Sequence, residues 1–242
     1  MSAEQAAGAV FEIYGNGEYL NRNPGWHVEH SAWKVSHLDR ILSRNRLQPA
    51  TVCEVGCGAG EVLRLFQAHR DHPCECWGFD ISPQAIELAR PRATEGLHYE
   101  QIDLASVRGK FDLAMVLDVV EHVENEFEFL RQLRTRAHRV VLHIPLDLSA
   151  QSVVRSKPLT ALRDAHGHLH YYTKETALRM LEDTGFEIID YHYTSMAMEV
   201  PCEVLTRKLL RWPRKLLFRF NQDLASKLLG GCSLMILARP IP

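Results

Sequence analysis

The chain has 242 residues, 46% of them apolar and 24% charged, enough for one large α/β domain or two small ones and not the composition of a fibrous, collagenous or disordered protein. Its 28 lysines and arginines against 30 aspartates and glutamates leave a formal net charge of −2, so no general field draws it to nucleic acid and any basic docking surface has to be local. The start, Met1-Ser2-Ala3-Glu4-Gln5, has neither basic nor apolar character, no apolar run reaches the roughly 18 residues of a membrane span, and six cysteines (Cys53, Cys57, Cys74, Cys76, Cys202, Cys232) are too few for a disulfide scaffold; a cytoplasmic protein with reduced thiols is expected.

In chain order, residues 1–48 lack strand signals but hold a helix-like stretch, Ser31–Leu42, after an aromatic-rich loop with Tyr14, Tyr19 and Trp26, which reads as a lid over the rest of the chain. From residue 51, short apolar runs alternate with helix-period segments, the pattern of a parallel sheet with crossover helices. Thr51–Val55 is the first strand and Glu61–His69 its helix; Cys76–Phe79 is the second, followed by a helix over Gln84–Arg90 that Ser82 caps with Pro83 at its first position. Strands over Leu97–Ile102 and Phe111–Leu117 come next with a short connection between them, then a helix over Glu124–Ala137 and a strand over Arg139–Ile144 that Pro145 should halt. Thr173 caps a further helix ended by Gly185, Phe186–Tyr193 alternates as a strand, and Ser233–Ala238 is the last. The intervening stretch, about 200–230, reads as a helical insertion broken at Pro213. The whole, 1–242, is read as a single domain: lid 1–48, ligand-binding core 49–145, and a second half 146–242 containing the insertion.

The segment Cys53-Glu54-Val55-Gly56-Cys57-Gly58-Ala59-Gly60 sets three alternate glycines between strand and helix, where backbone can pass close under a ligand. A dinucleotide site wants G-x-G-x-x-G, and an acid such as Glu54 would repel a pyrophosphate; a ligand with an ammonium group and no phosphate suits the loop better. Asp80 ends the second strand, where a carboxylate can accept two ribose hydroxyls, and Asp103 ends the third, within reach of an adenine amino group.

These stretches, CEVGCGAG (53–60), GFDIS (78–82), EQIDL (100–104) and FDLAMVLDVVEHV (111–123), resemble the class I S-adenosylmethionine-dependent methyltransferases in order and spacing. The resemblance implies an α/β, Rossmann-like seven-stranded sheet of order 3-2-1-4-5-7-6 with strand seven antiparallel, and S-adenosyl-L-methionine as cofactor. It implies that Gly56, Cys57, Gly58 and Gly60 pass beneath the cofactor, Asp80 holds the ribose, Ile81 packs on the adenine face, Asp103 with Leu104 holds the adenine, and Asp118 lies beside the methionine moiety. Lys34 is expected to pair with the cofactor's carboxylate.

Transfer to a hydroxyl needs a base, and 13 histidines are available. His143, on the fifth strand before the loop that builds acceptor sites in this family, is a candidate, as are His122 and His166. Asp118-Val119-Val120-Glu121-His122 resembles the E-x-x-E-H of ubiquinone-biosynthesis O-methyltransferases, which place those side chains on a divalent metal; that resemblance implies Asp118, Glu121 and His122 as ligands for an ion such as Mg2+, although Asp118 departs from the pattern and a helix cap is the alternative. His166, His168 and His170 alternate, so an extended segment would put all three imidazoles on one face for acceptor or metal binding, against the alternative of a polar loop packed on the next helix. Tyr14, Trp26 and His27 are expected to close over the methyl group and acceptor, unless Trp26 and Trp33 only anchor the first helix.

The N-terminal pattern Tyr-x4-Tyr-Leu, Asn-Pro-x-Trp-His and Trp-Lys resembles methyltransferases of small-molecule, glycan and surface-sugar tailoring, so the expected activity is O-methylation of a small molecule or sugar precursor, with N- or C-methylation and a non-catalytic binding protein as alternatives. No nucleic-acid partner is expected: the chain lacks the Asn/Asp-Pro-Pro-Tyr/Phe tetrapeptide after the fourth strand. Arg207, Lys208, Arg211, Arg214, Lys215 and Arg219 fall in a stretch without an acid and interleaved with leucine, Trp212 and Phe218; it fits an anionic membrane surface or lipid-linked acceptor, or else an insertion helix with solvated charges.

Overall fold

The computed structural model describes residues 20, 23, 25, 26, 28–200 and 205–241; Tyr14, Tyr19, His27 and Cys202 lie outside them. Seven strands, β1 (Thr51–Val55), β2 (Glu75–Asp80), β3 (Leu97–Gln101), β4 (Phe111–Leu117), β5 (Ala137–Leu146), β6 (Phe186–Thr194) and β7 (Cys232–Pro240), form one sheet in the order β3-β2-β1-β4-β5-β7-β6. The first five run parallel and β7 is antiparallel to both β5 and β6, as the motifs implied. The loops after β1 to β5 therefore gather at the carboxyl end of the parallel strands, the usual ligand end of such a sheet.

Both faces of the sheet are buried, which is why its strands read as continuous apolar runs. On β4, Ala114 and Val116 face Val140, Leu142 and Ile144 of β5, Leu130 and Leu133 of α4 (Glu126–Arg136) and Leu181 of α7 (Lys174–Asp183). The alternate residues Leu113, Met115 and Leu117 face Leu63 and Phe66 of α2 (Glu61–Ala68) and Val35, Leu38, Ile41 and Leu42 of α1 (Ser31–Arg44). Each such buried leucine contributes roughly 1.5–3 kcal/mol, so α1 is a layer of the core. Helix α1 falls within the stretch 1–48 that was expected to form a lid. Arg44 fastens α1 to β6 through two 2.6 Å bonds to Asp190.

Local signals place the remaining elements. Ser82 Oγ accepts from the Ala85 amide at the start of α3 (Pro83–Ala89), Asn125 caps α4, and Thr173 forms a capping box with Thr176 on α7. A 3-10 turn, Leu104–Ser106, is the short connection between β3 and β4.

Three expectations are corrected. β5 does not halt at Pro145 but runs on to Leu146: β4 has ended at Leu117, opposite His143, so β5 has an open edge there that tolerates a proline. The stretch after β5, expected as a loop over 145–172, contains two helices, α5 (Ala150–Arg155) and α6 (Lys157–His166). In the insertion, α8 (Met196–Glu199) precedes a helix α9 (Leu205–Phe220) that passes through position 213; the break falls at Asn221, whose side chain accepts from the Leu224 amide and starts α10 (Gln222–Leu229). An interior proline forfeits one helix bond, whereas a cap begins a new helix.

Candidate active site

The glycine loop is clamped to β2: the Gly56 and Cys57 amides both donate to the Phe79 carbonyl (2.8 and 3.0 Å), and the Gly58 amide donates to Asp80 Oδ2 (2.9 Å). Gly58 has φ +53, and a Cβ there would lie 2.5 Å from the Trp26 indole; at Gly56, φ +73, it would meet Val119 at the same distance. Both positions thus require glycine for backbone and for space. Trp26, expected over the acceptor, rests on this loop. Tyr99 donates to the Gly60 carbonyl at 2.6 Å and closes the loop's far side.

Glu54, the penultimate residue of β1, is 2% exposed, and its Oε2 has no hydrogen-bond partner. Burial pushes its carboxyl up to about 8, with Lys34 opposing and Asp80 adding to the rise. A buried carboxylate oxygen without a partner has an unmet capacity to accept, which an ammonium group satisfies. Asp80 also accepts from the Ser82 amide through Oδ1 (2.9 Å), and burial raises its carboxyl; Ile81 beside it is 39% exposed, an apolar surface at the open end. Asp103 caps the Leu104–Ser106 turn through the Ala105 amide (3.2 Å), with Leu104 buried beneath. The Cys57 thiol is buried and held well above its ordinary value by that burial, an inert filler of the turn.

Asp118 takes φ +58, rare for a residue with a side chain, and turns the chain sharply as β4 ends. Its Oδ2 lies 2.7 Å from Lys34 Nζ and its Oδ1 2.5 Å from His143 Nδ1. Burial opposes its ionisation, yet His143 and Lys34 together outweigh burial and hold the carboxyl far below the usual range. Lys34 is thus committed to Asp118 where the cofactor's carboxylate was expected. His143, expected as a base, has Nε2 2.8 Å from Thr194 Oγ1 on β6, so both ring nitrogens have partners.

A second cluster lies one turn further on. Glu121 is fully buried with neither carboxylate oxygen hydrogen-bonded, and burial, with Asp118 adding to it, raises its carboxyl well above the usual range. Oxygen and nitrogen atoms of Glu121, His122 and His168 lie within 4.8 Å of one another. Burial, then the neighbouring His168, lowers His122 to about 4, so it is neutral at pH 7. His168 Nδ1 is 2.8 Å from Asp147 Oδ2, which fixes the ring and leaves Nε2 as the other ring nitrogen.

The alternating histidines do not share a face. His166 ends α6, its ring 6.0 Å from that of His168, whereas His170 Nε2 turns to the Val123 carbonyl (2.8 Å) and Glu126 (3.1 Å). The segment is not a strand but an irregular stretch held by the Leu169 and His170 amides, both bonded to the Glu121 carbonyl. Asp147, 21 positions from His168, went unread in sequence; only its place just after a strand end hinted at it. The donor set that could hold a cation is accordingly Glu121, His122 and His168, with Asp118 held apart by Lys34.

Residues 26–191 match the family model described as a methyltransferase domain. Magnesium-protoporphyrin O-methyltransferase of Synechocystis is 27% identical over 203 residues, 76% of this chain and 83% of that protein. Ajmaline N-methyltransferase of Rauvolfia serpentina is 26% identical over 115 residues, 42% of this chain and 39% of that one. Among solved structures, magnesium protoporphyrin IX methyltransferase of Synechocystis with bound SAH shares the fold at TM-score 0.56 and 20% identity, covering 89% of this chain and 83% of that one.

Proposed function

Because the chain belongs to the methyltransferase-domain family and is a class I S-adenosylmethionine-dependent methyltransferase, we propose that it methylates an oxygen of a small molecule, a sugar or glycan precursor included, with His168 as the base. The observation that carries this reading is the Asp147–His168 pair beside Glu121 and His122, an oriented imidazole at the ligand end of the sheet. Similarity to an O-methyltransferase over 83% of that enzyme supports oxygen as the acceptor atom.

S-adenosylmethionine, when bound, supplies a methyl group already activated by its sulfonium. Glu54 receives the ammonium group, Asp80 the ribose hydroxyls, Ile81 and Leu104 the adenine faces, and Asp103 the adenine amino group. With S-adenosylmethionine bound, His168 Nε2 would take the acceptor's proton as its oxygen received the methyl group, and Asp147 would hold the ring against rotation. His122, neutral at pH 7, positions the acceptor by hydrogen bonding. The test is a screen of hydroxylated acceptors with labelled methyl donor, reading product linkage by mass spectrometry. Methylation of nitrogen or carbon, or turnover by His168→Asn equal to the native chain, overturns the reading.

A second reading is favoured by Glu121 alone. Its two unpartnered buried oxygens, with His122 and His168 alongside, fit the donor set for a divalent cation such as Mg2+, which would steady the acceptor oxygen. Chelator-insensitive turnover excludes it. Five cysteines among the described residues are free, which supports a reducing, cytoplasmic setting.

A further inference from the structure

Among its described side chains, helix α9 has apolar residues both packed on the core and exposed. Phe218 packs into the core, its ring 5.9 Å from that of Tyr193. Trp212, Leu216 and Phe220, spaced by four and so aligned along a stripe about 80° wide, are 78%, 60% and 79% exposed. The exposed apolar surface continues on the neighbouring elements: Leu224 and Leu228, one turn apart on α10, and Val153 and Val154 on α5, which Gln151 fastens to the end of α10 through the Leu229 carbonyl. Seven of the twelve large hydrophobic residues exposed among the described residues thus fall in these three elements, a concentration that marks an interaction surface.

Charge decides what covers it. Residues 205–220 hold six basic residues and no acid in a chain of net charge −2. Lys215 and Arg219 are exposed on one flank of the stripe, and Arg155 and Lys157 are exposed beside Val153 and Val154. Among the described residues, two acids near this surface are occupied: Asp223 bonds Lys174 and Tyr193, and Glu175 bonds Lys227. An aromatic and aliphatic stripe flanked by uncompensated cations is the pattern of a helix lying in a lipid interface. A second copy of the chain would bring the same cations against themselves.

Position gives the surface a purpose. The insertion leaves the sheet at Thr194 and returns at Cys232, which register opposite Ser233 and Leu146 respectively, the end of the sheet where β5 opens into the acceptor-side segment. We infer that α9 and α10 dock this enzyme on the anionic surface of a lipid bilayer, with the mouth of its active site on the membrane side. The inference does not depend on the acceptor atom or on the base.

The test is co-sedimentation of the full chain with phosphatidylcholine vesicles, with and without about a third phosphatidylglycerol, at low and high salt, together with quenching of tryptophan fluorescence by brominated lipid. Binding to the anionic vesicles, weakened by salt, is expected. Trp212→Glu combined with Phe220→Glu should cut binding at least about tenfold while leaving the affinity for S-adenosylhomocysteine and the thermal midpoint as they were; Lys215→Glu with Arg219→Glu should reduce binding to anionic vesicles selectively. Absence of binding, or binding indifferent to lipid charge and to these substitutions, overturns the inference. So does concentration-dependent dimerisation that the same apolar substitutions abolish.

Discussion

Lys34 Nζ lies 2.7 Å from Asp118 Oδ2, so a cation from the first helix neutralises the residue at which β4 turns away from the sheet. The pair is partly withdrawn from water, with Lys34 16% and Asp118 31% exposed, and removing either member leaves the other's charge short of a partner. Lys34→Met and Asp118→Asn should each lower unfolding free energy by about 2–4 kcal/mol, read by urea denaturation. Asparagine tolerates the left-handed backbone at 118, so its cost reports the lost charge. Losses under about 0.5 kcal/mol in both variants would place the pair among inconsequential surface bridges.

The buried Glu54 carboxyl, raised to about 8 by its burial, is largely protonated at neutral pH in the free protein and must ionise to receive an ammonium group. Affinity for S-adenosylhomocysteine should therefore rise between about pH 6 and 8, with proton release on binding. Glu54→Gln should bind more weakly and lose that pH slope. A slope unchanged in the variant would assign it to another group.

Gly58 carries two independent requirements, a φ of +53 and room for the Trp26 indole. Gly58→Val should weaken cofactor binding by at least about tenfold while circular dichroism shows a folded chain. Trp26→Ala combined with Gly58→Ala should recover part of the loss; absence of any recovery would mean that the backbone requirement dominates.

If His168 is the base held by Asp147, His168→Asn and Asp147→Asn should lower kcat by about 10²–10⁴-fold and leave S-adenosylhomocysteine affinity unaltered. Equal effects on cofactor affinity would make the pair structural.

His192 on β6 is lowered to about 4 by burial and then by His37, whose Nδ1 lies 3.1 Å from His192 Nε2. Its ring is kept neutral in the fold while the unfolded chain takes up a proton near its ordinary 6.5. That contribution is present above about pH 6.5 and is lost as pH falls toward 4, on the order of 1–2 kcal/mol by pH 5. His192→Gln should flatten the fall in thermal midpoint between pH 7 and 5; an identical fall would clear this residue.

Legible in sequence was whatever neighbouring residues settle among themselves. The apolar run along Phe111–Leu117, the Ser82-Pro83 cap and the glycines before Glu61 each fix their structure within a few positions, and the strands followed from them; their order came from the resemblance of the motifs to a known family. Pairings across distance were not legible. Asp147 meets His168, His143 meets Thr194 and Lys34 meets Asp118 only because the sheet brings β4, β5, β6 and α1 to one end; no local pattern records these. Helix α6 escaped for a different reason: it buries no residue, so it lacks the apolar stripe from which a helix is read.

Calorimetric titration with S-adenosylhomocysteine, with NAD as control ligand, is the direct test of the site built from Glu54, the glycine loop and Asp80. Micromolar or tighter binding to the native chain is expected, with none of NAD and an affinity lowered at least about tenfold in Asp80→Ala. Failure to bind S-adenosylhomocysteine, or equal binding by Asp80→Ala, would contradict this cofactor site.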